Sequence, residues 1–107
     1  MKKYEIVKEH KDFDDIINTG KYKKGLYYII YNKDNSLSIS RFGIAVSKKN
    51  GHAVVRNYMK RVARMIIETN KNMFQKGVDY IIIVKRSALN VDYKALEEDI
   101  INIIKGD

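Results

Sequence analysis

The residues of this sequence best suited to chemistry are cations, and they are concentrated in one stretch. Two adjacent lysines and a histidine precede arginines and lysines that recur every three or four positions, the spacing of successive helical turns. The residues of the stretch that could bind an anion are Lys48, Lys49, His52, Arg56, Asn57, Lys60, Arg61 and Arg64. A lysine attracts a phosphate as a point charge, and an arginine can hold two of its oxygens at once. The stretch therefore favours binding to a polyanion.

The distribution of charge along the chain supports this interpretation. Of the 107 residues, 21 are Lys or Arg and 13 are Asp or Glu, which gives a net charge of +8. Residues 35–67 contain seven of the cations and no acidic residue, so the rest of the chain is almost neutral. Because like charges repel, ordinary exposed helices mix both signs. A long stretch of one sign is typical of a nucleic-acid-binding surface and, less often, of a surface that binds an anionic membrane.

Several other kinds of chemistry lack the residues that they need. The chain has no cysteine, which excludes disulfides, thiolate zinc sites and cysteine nucleophiles. His10 and His52 are far apart in sequence, and no motif connects either of them to a nucleophile. The carboxylate pairs at 14–15 and 97–98 are typical of solvent-facing helix positions and do not resemble a two-metal nuclease site. We therefore expect no catalytic residue and no metal site in this protein.

A helix over residues 53–70 is predicted to carry the cations. At about 100° per residue, one face of this helix is basic and carries Arg56, Asn57, Lys60, Arg61 and Arg64. The opposite face is apolar, is expected to pack on a sheet, and carries Val55, Met59, Val62 and Ile66. The helix has no acidic residue before Glu68, so the cations have no partner four positions away and are free to bind phosphates.

The strands are predicted from shorter patterns. Residues 26–31 are aromatic and β-branched and predict a strand. Residues 36–47 alternate at first and predict its hairpin partner, with a bulge or a bend at Gly43. Residues 79–85 form a continuous apolar run, which predicts a central, buried strand. Residues 21–25 are expected to form a basic loop.

Two further helices complete the predicted fold. The first spans residues 10–19, and the last begins at Asn90 or Asp92. The apolar stripe of the last helix is expected to be Tyr93, Leu96, Ile100, Ile103 and Ile104. The order αββ(β)αβα predicts an α+β fold: a single-domain α/β sandwich over residues 1–107, with helices on a small mixed sheet of about four strands. A βαβ crossover is expected from Phe42 to Val84, and general statistics favour a right-handed one.

The central stretch resembles a known family. Gly43–Glu68, GIAVSKKNGHAVVRNYMKRVARMIIE, closely resembles the signature region of the bacterial ribonuclease P protein subunit. The family has a Lys-Lys connector, a Gly-x-Ala-Val turn, and a helix with an Arg-Asn-Arg motif, a Lys-Arg pair and a further Arg. The matching residues are Lys48, Lys49, Gly51, Ala53, Val54, Arg56, Asn57, Lys60, Arg61 and Arg64. Tyr58 departs from the pattern, because the family most often has its second arginine there. This tyrosine could stack on a base, donate a hydrogen bond, or extend the apolar helix face.

The resemblance implies a function and an unusual crossover. The family's protein binds a large catalytic RNA and assists removal of the 5′ leader from precursor tRNA, giving mature tRNA 5′ ends. By resemblance, the RNA contacts are Lys48, Lys49, Arg56, Asn57, Lys60, Arg61 and Arg64. His52, which lies in the basic connector, and Tyr58, at the departing position, are further expected RNA contacts. The endonuclease active site would lie in the RNA, and the required Mg²⁺ would be held mainly by the RNA. The family's βαβ crossover is left-handed, contrary to the statistical expectation.

The resemblance also implies a second surface. In the family, a cleft between the first helix and the sheet binds the single-stranded leader, and the matching residues are Phe13, Ile17 and Tyr31. Ile17 stands where an aromatic residue is common, and isoleucine stacks less well on a base. Core packing is the alternative for Phe13 and Ile17. Lys21, Lys23 and Lys24 either guide leader phosphates or belong to a solvated loop.

Two other functions stay open, and the expected location follows from absences in the sequence. The first is a non-catalytic RNA-binding module, such as a ribosome-associated protein, and the second is a protein-only nuclease. No apolar run approaches the roughly 18 residues of a membrane span. The N-terminus turns acidic where a signal peptide would be apolar. We expect a cytoplasmic protein with no membrane association and no stable protein partner.

Overall fold

Three helices and one four-stranded sheet make up the fold of residues 1–106, which the computed structural model describes. The helices are α1 (His10–Thr19), α2 (Ala53–Thr69) and α3 (Tyr93–Lys105). The strands are β1 (Lys21–Lys24), β2 (Tyr28–Asp34), β3 (Arg41–Val46) and β4 (Val78–Val84). The Cα radius of gyration is 12.9 Å, close to the ~13 Å typical of a compact domain of about 100 residues.

The sheet has the mixed topology that the sequence predicts. Its strand order is β1-β2-β4-β3. Strand β2 is antiparallel to both of its neighbours, whereas β3 is parallel to β4. Helix α2 therefore connects two adjacent parallel strands, as expected of a βαβ unit, and β4 is central and almost wholly buried. The fold class and the order of elements are confirmed, and the handedness of the crossover stays a prediction.

The strand pairing differs from the prediction at both edges of the sheet. Lys21–Lys24 is not a loop but strand β1, and it forms the hairpin with β2. The segment predicted to be that hairpin partner supplies only β3, which pairs with β4 instead. Pairing with a neighbouring backbone requires no apolar side chain, so an exposed edge strand can be rich in lysine. This is why the composition of β1 concealed it.

Gly43 marks neither a bulge nor a bend, because the pairing of β3 with β4 runs through it without interruption. It pairs in register with Ile81 in the middle of β3. A Cβ at this position would lie 2.6 Å from the ring of Phe13 and 2.8 Å from Ile81 Cδ1. The missing side chain therefore allows α1 to approach the sheet closely.

The sheet separates two apolar clusters of unequal size. The larger cluster lies between the sheet and helices α2 and α3, and its fully buried side chains include Tyr28, Phe42, Ile66, Ile82 and Ile100. The smaller cluster lies under α1 and consists of Val7, Ile16 and Ile81, with Phe13, Ile17, Tyr31 and Ile83 half-buried around it. Because successive strand residues point to opposite faces, these clusters occupy opposite sides of the sheet. Helix α1 covers its side only in part, because these four side chains keep part of their surface in solvent. We call this partly covered face the cleft.

The apolar faces of α2 and α3 are confirmed except at their first turns. Met59, Val62 and Ile66 are buried as predicted, but Val55 is 38% exposed. Tyr93, expected in the stripe of α3, is also 38% exposed. Both residues lie in the first turn of their helix, where neighbouring elements cover the helix less completely.

Two buried carboxylates hold the elements in place. Asp99 of α3 accepts hydrogen bonds from the backbone N–H groups of Leu26, Tyr27 and Tyr28, at 2.8, 2.9 and 3.1 Å. Asp79 of β4 accepts two hydrogen bonds from the guanidinium of Arg41 on β3, at 2.8 and 2.6 Å. The first set fixes α3 against the β1–β2 turn, and the second joins the two parallel strands.

Candidate nucleic-acid interface

The two connector lysines are presented by a short, anchored turn. Residues Lys48–Asn50 form one turn of 3₁₀ helix, and the Ser47 hydroxyl accepts a hydrogen bond from the Lys49 N–H at 3.2 Å. The side chain of Asn50 is buried and donates to the Val84 carbonyl at 3.2 Å. Lys48 and Lys49 are both exposed. The buried amide therefore ties the turn to β4 and leaves both ammonium groups in solvent.

A glycine makes the change of direction from this turn into α2. Gly51 has φ +131°, a conformation that residues with a Cβ rarely adopt. His52 follows it at the N-cap position, is exposed, and makes no capping hydrogen bond through its side chain. The imidazole thus lies beside the connector lysines, close to the amide-rich end of α2, where a helix attracts anions.

The cations of α2 have no acidic partners among residues 1–106. Arg61 and Arg64 are exposed, and Arg56 and Lys60 are half-buried. Within residues 1–106, none of these four has a carboxylate oxygen within 4.0 Å, because the ion pairs form elsewhere. Glu68, the acidic residue of α2, instead pairs with the N-terminal amine. The helix therefore presents positive charge that its own fold does not neutralise.

Asn57 and Tyr58 are adjacent in sequence but lie on different flanks of α2. Asn57 is exposed on the flank of the cations, following the helical wheel. Tyr58 is 58% exposed and lines an apolar groove of about 570 Å³ together with Val54, Leu89 and Val91. Of the three roles open to Tyr58, its place beside this groove fits an extension of the apolar side of the helix.

The predicted cleft residues are brought together under α1. Phe13 and Ile17 of α1 and Tyr31 of β2 are half-buried around Ile16 and Ile81. They pack on the smaller cluster and keep part of their surface in solvent, so core packing and an exposed cleft wall are combined in the same side chains. An ion pair of 2.5 Å between Lys33 of β2 and Asp15 of α1 holds the helix over the sheet.

One aromatic residue of this cleft was not predicted. Tyr22 of β1 lies directly opposite Tyr31, and the centroids of the two rings are 5.3 Å apart. The lysine-rich composition of residues 21–25 predicts a loop and so gives no sign of a strand residue opposite Tyr31. The available signal was the tyrosine between two lysines, one half of the alternation expected of an edge strand.

The perturbed pKa values belong to groups that support the scaffold. Burial raises the pKa of the Tyr28 and Tyr80 hydroxyls above the usual range. A hydrogen bond to Asp79 raises the pKa of the Arg41 guanidinium. A hydrogen bond from Lys71 lowers the pKa of Glu5. The same ion pair connects the N-terminal segment to the turn after α2.

Residues 1–106 contain neither a membrane-spanning helix nor a cluster of metal-binding side chains. No helix among residues 1–106 combines the length and apolar character needed to cross a membrane. Across that same range, no three His, Asp or Glu side chains come together as a metal-holding group.

Comparisons with known proteins agree with one another. The family model described as Ribonuclease P matches residues 1–106. The ribonuclease P protein component of Mycoplasma mycoides subsp. mycoides is 42% identical over 106 residues, which cover 98% of this chain and 97% of the relative. That of Streptococcus agalactiae serotype Ia is 38% identical over 105 residues, which cover 98% and 95%.

The similarity extends to solved structures. The RNase P protein from Thermotoga maritima matches with a TM-score of 0.87 at 31% identity, covering 94% of this chain and 96% of that one. A Staphylococcus aureus RNase P protein mutant with defective mRNA degradation activity matches with a TM-score of 0.89 at 28% identity, covering 96% and 87%.

Proposed function

The chain belongs to the ribonuclease P protein family, and from that membership we propose how its two surfaces serve the enzyme. As a protein component of ribonuclease P it functions in tRNA processing. In our proposal the connector and the basic flank of α2 bind the catalytic RNA, and the cleft under α1 binds the 5′ leader of precursor tRNA.

Unneutralised charge supports the first contact. The proposed RNA contacts on the connector and the basic flank are Lys48, Lys49, His52, Arg56, Asn57, Lys60, Arg61 and Arg64. Tyr58, on the neighbouring flank, is proposed as a further contact at the edge of this surface. Exposed cations without carboxylate partners do not have to break an ion pair before they bind a phosphate, and each contact releases counterions from the RNA. Asn57 adds an exposed amide that can both donate and accept hydrogen bonds. This set of unpaired cations is the observation that carries the proposal.

Half-exposed apolar and aromatic side chains support the second contact. Phe13, Ile17 and Tyr31 present ring and aliphatic surface in one cleft. An unpaired base can stack on such surface whatever its identity, because every base has a π-face. A leader of variable sequence is therefore a suitable ligand, whereas paired RNA keeps its bases stacked and offers mainly phosphates and groove edges.

The reaction itself is proposed to occur in the RNA component, where the Mg²⁺ ions required for hydrolysis would also be held. The protein's part is electrostatic. By placing cations between RNA segments, it lowers the phosphate repulsion that Mg²⁺ must otherwise screen. It also increases the affinity for substrates that carry a leader. Accordingly, its effect should be largest when Mg²⁺ is scarce.

Reconstitution with the cognate RNA tests the proposal. The protein alone should not cleave precursor tRNA, and it should restore cleavage by the RNA at a low Mg²⁺ concentration that does not support the RNA alone. The protein should increase the affinity of the enzyme for tRNA that carries a leader, and it should not increase the affinity for mature tRNA. A protein that cleaves alone, or that fails to activate the RNA, contradicts the proposal.

A further inference from the structure

One row of side chains crosses the whole sheet on the side that α1 covers. The strand register places Gly43, Ile81, Tyr31 and Tyr22 next to one another on β3, β4, β2 and β1. Residues paired across strands point to the same face, so this row forms the floor of the cleft. Phe13 of α1 contacts the row above Gly43.

The exposure of the row increases steadily towards β1. Ile81 is fully buried, Tyr31 is half-buried, and Tyr22 is 55% exposed. Tyr22 therefore contributes little to the core, although its ring lies 5.3 Å from that of Tyr31 and is tilted by 34°. A pair of tyrosines at this spacing offers two neighbouring ring surfaces at the open end of the cleft.

A cation accompanies the outer tyrosine. Lys24 pairs with Ile29 two positions along β1, so its side chain leaves the same face of the sheet as Tyr22. It is exposed, and among the described residues no carboxylate lies within ion-pair distance of it. Lys33 also lies on this face, but it forms an ion pair with Asp15. Lys24 is thus a cation on the face of the tyrosine pair that is free to bind a phosphate.

From this arrangement we propose that Tyr22 and Lys24 form an additional nucleotide subsite, which binds one leader nucleotide beyond the nucleotide at Tyr31. The base stacks on the Tyr22 ring, and the phosphate is attracted by the Lys24 ammonium. An aromatic ring next to a cation is the usual combination for holding single-stranded nucleic acid without regard to sequence. This inference rests on the proposed binding of the leader in the cleft.

The test uses holoenzyme reconstituted with the cognate RNA. Affinity is measured for precursor tRNAs whose leaders grow one nucleotide at a time and for leaders with a single abasic position. Tyr22→Ala should weaken binding about five- to tenfold, the lower range for loss of one base–aromatic stack. The loss of affinity should appear only with leaders that are long enough to place a nucleotide at Tyr22. Tyr22→Phe should retain affinity, because the ring is kept.

A double-mutant cycle separates direct contact from support of Tyr31. Tyr22→Ala should couple to an abasic position different from the one that couples to Tyr31→Ala. Tyr93→Ala, which removes an exposed tyrosine from α3 on the other side of the sheet, is the matched control and should leave leader affinity unchanged.

Each outcome decides a specific point. Coupling of both tyrosines to the same abasic position would mean that Tyr22 only positions Tyr31, and it would overturn the subsite. So would an unaffected Tyr22→Ala variant in a holoenzyme whose affinity depends on the leader. If the wild-type holoenzyme shows no leader dependence at all, the proposed leader binding itself fails, and the subsite fails with it.

Discussion

Removal of two cations from α2 should change the salt dependence of RNA binding by a calculable amount. Arg61 and Arg64 are the exposed arginines of the basic flank, and neither has a carboxylate partner in the described chain. On double-helical nucleic acid, each phosphate contact contributes about 0.9 to the slope of log affinity against log salt, and we use this value for the RNA. The variant Arg61→Ala/Arg64→Ala should therefore have a slope shallower by about 1.8.

The same figure predicts how the affinities diverge as salt is varied. Between about 50 and 200 mM salt, one contact accounts for about a 3.5-fold change in affinity. Two contacts account for about 12-fold, so the wild-type protein should lose about 12-fold more affinity than the variant over this range. Binding of the catalytic RNA is measured by titration at several salt concentrations, with Mg²⁺ held constant.

A charge-matched variant provides the control. Lys94→Ala/Lys105→Ala removes two exposed cations from α3, outside the basic flank. Its slope should match that of the wild type. In both variants, each substitution should change the free energy of unfolding by no more than about 0.5 kcal/mol, because surface substitutions usually have small effects. An unchanged slope for the α2 variant, or an equal decrease in the α3 variant, would refute assignment of the phosphate contacts to α2.

Three further substitutions test the scaffold that positions these surfaces. Asp99→Ala leaves backbone donors at the β1–β2 turn without their acceptor and should lower the free energy of unfolding by about 3 kcal/mol, as measured by denaturant titration. Gly43→Ala places a methyl group 2.6 Å from Phe13; it should cost about 1–3 kcal/mol and weaken leader binding more than RNA binding. The pKa of Glu5 is lowered mainly by its hydrogen bond from Lys71, so this pair stabilises the fold above the unfolded-state pKa, and the contribution disappears as pH falls through the lower folded-state pKa. Lys71→Gln should therefore make stability less sensitive to acid below about pH 4.5.

Different results would contradict each of these expectations. An Asp99→Ala variant as stable as the wild type would show that other acceptors satisfy the turn. Equal losses of leader and RNA binding in Gly43→Ala would indicate general disruption and not a displaced α1. If the stability of Lys71→Gln depended on pH in the same way as that of the wild type, the loss of stability in acid would come from groups other than the Glu5–Lys71 pair.

Much of the molecule could be predicted because the relevant signals are local. The bounds of α1 follow from its apolar spacing and the glycine after it, and the central strand β4 follows from its continuous apolar run. The basic flank of α2 follows from helical periodicity alone, since consecutive residues of a helix have a fixed angular relation. The sequence by itself therefore determined where the positive charge lies and which face of α2 is buried.

Only the tertiary structure decided which strands pair and which side chains meet across them. Strand β1 was hidden because its stability comes from backbone pairing to β2, and lysines give no apolar signal. The parallel pairing of β3 with β4, and hence the row that ends at Tyr22, depends on contacts between residues far apart in the chain. The roles of Asn50 and Asp99 could not be predicted for the same reason. Each forms hydrogen bonds with backbone groups that are distant in sequence, and the residues next to it in the chain do not indicate those partners.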